Sequence, residues 1–313
     1  MAVFLFPGQG AQFSGMGVDL WEADADGKLG VRSLFETADA ILGADTLDLL
    51  NSDAETLKRT DVSQSAITIA SLAAVRVLAA RGILPSACAG FSLGEYPALV
   101  VAGVISVADA ILLTKKRGEI MQEICSSITN AGMAAVLGLS PEKVDEVIAS
   151  SGIADLYGAN YNSPTQTVVS GTASALTAAE EAFKAAGARR VIRLKVAGPF
   201  HSSLMAAAGE RFAAVLDGIG FNDPVLPLFS NVTGARVTSG AEAKRCAVSH
   251  ISNPVRWTTE EAAIAAFLSG VPSTEPALIE AGPGKVLSGL WADSGNAGSC
   301  MPYADVLAGM SKN

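Results

Sequence analysis

Ser92 stands where chemistry could begin. It lies in AGFSLGEYPAL (89–99), between Gly90 and Gly94, after a run of small residues and before a helix-like stretch. A G-x-S-x-G between a buried strand and a helix is the setting of a nucleophile elbow, a tight turn that lifts a serine hydroxyl clear of a sheet. Glycine makes up 31 of the 313 residues, so the bare pattern also arises in ordinary turns, and it is the strand-turn-helix setting that favours function. A serine hydroxyl attacks at neutral pH only with a positioned base, and histidine is the usual one. The chain has two histidines, His201 and His250. His201 sits in AGPFHSSLM, where a strand ends and a helix begins, the edge at which α/β sites assemble. His250, in SHISNPVRW, falls in a loop. No acidic residue stands out as a third member, so a backbone carbonyl orienting the imidazole would leave a Ser-His dyad. An oxyanion needs donors as well. The backbone N–H of Leu93 is one, and the loop FPGQGAQ (6–12) offers a second at Gln9. That loop lacks the third glycine of a dinucleotide fingerprint, and no P-loop lysine follows it.

These groups need a scaffold, and the chain reads as alternating strands and helices. VFLF (3–6), stopped by Pro7-Gly8, is a short buried strand. Residues 31–42 and 62–81 have helical spacing, the second placing Ile67, Ala70, Ala74, Val77 and Leu78 along one side. SACAGF is another buried strand, and helices follow from Leu93 and from Val107 to about Cys125. Such alternation implies a parallel α/β sheet. Near residue 130 the pattern becomes β-α-β-β-α-β: AGMAAVLGL, PEKVDEVIASSG, two strands around NSPT, TASALTAAEEAFKAAG and ARRVIRLKV. That order is ferredoxin-like. The expected fold is an α/β-hydrolase-like large domain with a parallel sheet, residues 1–126 and 198–313, holding an inserted ferredoxin-like small subdomain, 127–197. LPLFSNVTG and PALIEAGPG are further strands of the large domain.

Half of the residues are apolar and 17% are charged, which marks a globular chain. The balance of 31 acidic and 22 basic residues, net −9, argues against nucleic acid as a partner. Four scattered cysteines (Cys88, Cys125, Cys246, Cys300) form no C-x-x-C pair, and with two histidines neither a zinc site nor a disulfide framework is suggested. ALVVAGVISVADAILLT is broken by Ser106 and Asp109, AITIASLAAVRVLAA carries Arg76, and neither reads as a clean membrane span of about 20 residues. MAVFLFPGQG lacks the basic region of a signal peptide. The expectation is a soluble, cytoplasmic monomer.

Read together, VFLFPGQGAQFSGMG, GFSLGEYPALVVAG, KKRGEIMQE, NYNSPTQTVVSG, GPFHSSLM, NPVRW and EAGPGKVL resemble, in order and over nearly the whole chain, the malonyl-CoA:acyl carrier protein transacylases, relatives of the acyltransferase domains of fatty-acid and polyketide synthases. The resemblance implies that Ser92 becomes the acyl-serine and His201 is its base. It implies that Gln9 and Leu93 supply the oxyanion donors, and that the backbone carbonyl at His250, where glutamine is common, fixes the tautomer of the base. Arg117 matches the arginine that grips the malonyl carboxylate. Taken alone, Lys115-Lys116-Arg117 would be a solvated helix face, since only one of three consecutive positions can point into a cleft; a guanidinium that binds a carboxylate by two parallel hydrogen bonds gives Arg117 a task. The implied partners are malonyl-CoA or CoA and acyl carrier protein, with no cofactor and no membrane. Acidic carrier proteins would need a basic patch, with candidates at Arg189, Arg190, Arg193 and Lys195 and at Lys115 and Lys116. Phe91 replaces the histidine usual before the nucleophile and makes that wall apolar. Phe200 resembles the malonyl-selective form of its motif. Pro97, about five residues into the elbow helix, is expected to distort it. The alternatives are a polyketide-type acyltransferase of altered specificity, a serine thioesterase or esterase, which leaves Arg117 idle, and a non-catalytic carrier-protein-binding module.

Overall fold

The apolar run at the amino end forms strand β1 (Ala2–Phe6), buried along its whole length. Val3 and Leu5 face one core and Phe4 and Phe6 the other, the period-two alternation of a strand covered on both sides. The computed structural model describes residues 2–128, 130–270 and 277–310. Met1, Thr129 and Pro276, which belong to stretches read above, lie outside the described residues, as do the last three positions of the expected large domain.

β1 pairs in parallel with β2 (Pro85–Gly90) on one side. A second, four-stranded antiparallel sheet contains β3 (Ala131–Leu137), β4 (Leu156–Ser163), β5 (Gln166–Thr172) and β6 (Arg190–Arg193) in the order β4-β5-β3-β6. The chain then returns to the first sheet with β7 (Leu228–Ser230), β8 (Ala235–Val237), β9 (Ala277–Glu280) and β10 (Cys300–Pro302). That sheet runs β10-β9-β1-β2-β7-β8, parallel except for the antiparallel edge strand β8. It is a large α/β domain with a small α+β subdomain, as the alternation of elements implied.

The helices Thr60–Ala80 and Val107–Ser127 cover the face bearing Phe4 and Phe6, and Trp257–Ser269 and Val286–Ser294 cover the face bearing Val3 and Leu5. Thr60–Ala80 is buried on nearly every side, including Ser63, Gln64, Thr68 and Ser71. Among the described residues it is the one helix long and apolar enough to cross a membrane, despite Arg76, and 78% of its apolar window is buried inside the fold. A helix apolar all round must be buried somewhere, and here the sheet and its neighbouring helices do it.

In the small sheet one face sets Val136, Leu156 and Val169 against Val144 of the helix Pro141–Ser151 and Leu176 and Phe183 of the helix Ala173–Ala185. The opposite face presents Met133, Val168 and Asn160 toward the large domain. β6 is shorter than ARRVIRLKV suggests. It pairs with β3 over four residues, Leu194 N–H donates to Met133 O, and the chain then leaves the sheet to carry Pro199–His201 back to the large domain. The distortion expected at Pro97 takes a mild form. The elbow begins with a 3-10 turn, Ser92–Gly94, and the α-helix Glu95–Val101 starts after it, so Pro97 falls in a first turn whose N–H groups have no partner within the helix.

Candidate active site

The site forms at the carboxyl ends of β1, β2 and β7, where loops from three strands meet. Ser92 follows β2 with φ = 50°, the left-handed strain of a residue held on a sharp turn. Two contacts force that turn. Phe91 N–H donates to Phe6 O, bringing the end of β1 against the elbow, and Gly94 packs so closely on Phe6 O that a Cβ there would collide with it. Gly8 is equally constrained against Phe91 O, which brings the Gln9 loop beside the serine. Gln9 and Ser92 line the same cavity, and Leu93, next in the turn, is buried.

His201, 109 residues further along, places Nε2 at 2.8 Å from Ser92 Oγ. Its other ring nitrogen, Nδ1, lies 3.0 Å from His250 O and 3.1 Å from Asn253 O. Carbonyl oxygens only accept, so Nδ1 carries the proton and Nε2 is left to take one from the serine. The residue that sequence reasoning missed is Asn253, a second carbonyl on the same nitrogen. His201 also has φ = 57°, and its own N–H is tied to Ile251 O. Among the described residues no carboxylate touches the imidazole; two carbonyls hold it instead.

The cavity, about 220 Å³, lies between the sheets, with Phe91, Met121, Met133, Val168, Leu194 and Phe200 as its apolar walls. Phe91 rests edge-on against Trp257, 5.4 Å between ring centroids, which fixes its wall. Arg117 enters this cavity fully buried. Its Nη1 donates to Gln64 Oε1, while among the described residues Nε and Nη2 make no well-formed hydrogen bond, the Tyr96 hydroxyl and Glu95 lying near enough to favour the charge. Gln64 in turn donates from Nε2 to Gln9 Oε1, so one side chain links the guanidinium to the loop beside the serine. Nothing in the local sequence flags Gln64, a polar residue among apolar ones on the buried helix. Of the three consecutive cations, Arg117 alone turns inward. Lys115 donates to Ile41 O and Leu42 O at the end of a neighbouring helix, and Lys116 pairs with Glu119 at 2.8 Å. Lys116 stays partly exposed beside Glu119, Lys115 is held at the helix end, and Arg189, Arg190, Arg193 and Lys195 are exposed, Arg193 also donating to Ala173 O and Thr177 Oγ1.

Burial pushes the His201 imidazole down to about 4, and the Arg117 charge pushes the same way. The neutral form, which acts as base, therefore persists well below the ordinary histidine value of about 6.5. In single-turnover acylation, kcat/KM for malonyl-CoA should stay flat on acidification past pH 6 and fall only as pH approaches 4. A half-loss near 6.5 would mean that the imidazole is solvated and uncoupled from Arg117. Once a bound carboxylate offsets the guanidinium charge, the limb seen at saturating substrate should lie higher than the kcat/KM limb.

A serine on a strand-to-helix turn, an imidazole behind it and a cavity closed by a ferredoxin-like cover are the features of an acyl-transfer domain, and the chain matches the acyl transferase domain family over residues 3–310. It is 41% identical over 292 residues to the malonyl CoA-acyl carrier protein transacylase of Bacillus subtilis, covering 92% of this chain and 88% of that protein. It superposes on an acyl carrier protein S-malonyltransferase from Vibrio cholerae with a TM-score of 0.89 and 34% identity, covering 98% of this chain and 99% of the other. A malonyl-transacylase solved in complex with a type II PKS acyl-carrier protein gives a TM-score of 0.87 and 35% identity, covering 100% and 99%. The chain belongs to the malonyl CoA-acyl carrier protein transacylase family.

Proposed function

We propose that this chain moves a malonyl group from malonyl-CoA to the phosphopantetheine thiol of an acyl carrier protein, through a malonyl ester of Ser92, for fatty-acid synthesis. The observation that carries the reading is Arg117, a buried guanidinium with two nitrogens making no well-formed hydrogen bond among the described residues, lining the same cavity as the serine. A buried charge that its neighbours compensate only in part is costly, and a carboxylate bound by two parallel hydrogen bonds would remove that cost. An esterase for neutral acyl groups would have no use for it.

In this mechanism His201 Nε2 takes the Ser92 proton as Oγ attacks the thioester carbon. The resulting oxyanion is held by the backbone N–H groups of Gln9 and Leu93. Collapse breaks the C–S bond, and His201 returns its proton to the departing CoA thiolate. The carrier thiol then gives its proton to His201, attacks the malonyl-serine and displaces Ser92 Oγ, which recovers the proton. The carbonyl of His250 keeps the imidazole in the required tautomer throughout. Nucleophile, base and donors suffice for both exchanges, so the reaction calls on no cofactor. The small subdomain, taken as 127–197, supplies one wall of the acyl cavity, and its exposed Arg189, Arg190, Arg193 and Lys195 are the surface offered to an acidic carrier. Four free, buried cysteines suit a reducing cytoplasm, and the chain acts as a monomer in this reading.

Intact-protein mass spectrometry after brief exposure to malonyl-CoA tests the proposal. One malonyl adduct, mapped to the peptide containing Ser92 and discharged by holo carrier protein, is the expected result. No adduct, or an adduct discharged by water as fast as by carrier, would overturn it in favour of a binding module or a thioesterase.

A further inference from the structure

Behind the reacting groups lies a second, fully buried set of polar side chains that the mechanism above does not use. Its centre is Asn231, at the carboxyl end of β7 and wholly inaccessible. Its Oδ1 accepts the Ser92 backbone N–H and lies 3.1 Å from His250 Nε2. Its Nδ2 donates to Gly90 O and, at 2.7 Å, to Glu260 Oε2. All four hydrogen-bonding positions of the amide are filled, and its orientation follows from chemistry. The Ser92 N–H can only donate and Gly90 O can only accept, so the amide cannot be flipped, and His250 must present Nε2–H.

We propose that Asn231 is a positioning residue for the acyl transfer, clamping the nucleophile elbow on both sides of Phe91 and tying it to the loop that orients the base. The clamp is needed because Ser92 and His201 both stand at positive φ, conformations that cost free energy and persist only where surroundings over-determine them. The tie runs through one residue. His250 reaches Asn231 with its ring and His201 Nδ1 with its carbonyl, so the elbow and the imidazole are referred to the same amide. Glu95 Oε2, 3.5 Å from His250 Nδ1, faces a nitrogen without a proton. A protonated Glu95 can donate there, and burial does push that carboxyl up, to about 7. Relaxing such a clamp should misplace the nucleophile by a fraction of an ångström to an ångström, enough to slow acylation on the order of 10- to 100-fold.

The inference rests on Ser92 being the acylated group, and the experiment separates the two. Asn231→Asp preserves shape and both acceptor contacts but, when ionised, loses the donors to Gly90 O and Glu260. Single-turnover acylation of Ser92 by malonyl-CoA should be about 10- to 100-fold slower at pH 8 and should recover in part toward pH 5, where the new carboxyl regains one proton to donate to Gly90 O or Glu260 and its neighbours Glu260 and Glu95 are themselves protonated. Asn231→Ala should be slow at every pH. Malonyl-CoA affinity, measured in each variant combined with Ser92→Ala, should be unchanged, because Arg117 approaches from another wall. Wild-type acylation rates in both variants would overturn the inference. So would a pH-independent loss with a matching loss of affinity, or failure of Asn231→Asp to fold by near-ultraviolet circular dichroism, since the residue would then be structural. If the wild type itself gains no adduct, the function proposed above fails; if it does and the variants match it, only the clamp fails.

Discussion

Ser92→Ala should lower malonyl transfer to carrier protein by at least about 10⁴-fold in kcat, with malonyl-CoA affinity preserved. The size follows from the site having one nucleophile. Among the residues lining the cavity no thiol or second hydroxyl stands beside His201, and the four cysteines are buried and unshared with it. Burial pushes the Cys88 and Cys125 thiols far up, so neither supplies a thiolate. Adding His201→Ala to the serine variant should cost almost nothing more, since the two act as one unit at 2.8 Å. Initial-rate kinetics on the single and double variants, with calorimetric binding of malonyl-CoA, check both statements. Additive losses would mean that the imidazole has a task independent of the serine.

What could be read in advance divides along physical lines. The elbow, the base and the order of the strands and longer helices through β6 showed because each depends on a short local pattern, whereas the short helices Val18–Ala23, Thr46–Leu50 and Ala54–Lys58 were not read. β1 alternates between two cores, the helix Ala173–Ala185 has a threonine cap whose side chain accepts Ala175 N–H, and the helix Pro141–Ser151 opens on a proline and closes on glycine. The carboxyl-terminal third showed less. β8 and β10 have three residues each, too few for a period to register, and β10 is defined by pairing with β9 across distant sequence. The helix Trp257–Ser269 hides polar residues among apolar ones. Glu260 and Glu261 are wholly buried, one held by Asn231 and the other by the Trp257 indole N–H. Gln64, Asn231 and Asn253 carry no local signal at all. Their work is to join loops that are far apart in sequence, and only the folded backbone brings those loops together. Arg117 lies between these cases. Its helix could be read, its inward direction could not, and Lys115 and Lys116 turned out to be engaged with a helix end and with Glu119.

Arg117→Met should trade function for stability. In the free protein the guanidinium is stripped of water, its pKa is lowered by that burial, and two of its nitrogens make no well-formed hydrogen bond among the described residues. Tyr96 offers the main nearby relief through its hydroxyl and its ring, whose centroid lies 5.7 Å from the guanidinium carbon, while Glu95 offers less because burial pushes it toward its neutral form. Methionine fills similar space without the desolvation cost, so the thermal midpoint of the free enzyme should rise by a few degrees, the usual consequence of removing a buried charge compensated only in part. Malonyl transfer should fall by on the order of 10²- to 10⁴-fold in kcat/KM, since a buried charge pair left without one partner costs about 3–5 kcal/mol. Acetyl-CoA, which brings no carboxylate, should lose little and become the better donor in relative terms. A ligand test separates the causes: free malonate should raise the midpoint of the wild type and leave the variant unmoved. The sign of the stability change is the decisive part. A variant that melts lower and loses both donors equally would make Arg117 a structural strut on Gln64. A variant that melts higher and rejects malonyl alone would show that the fold tolerates a buried charge because the substrate completes it.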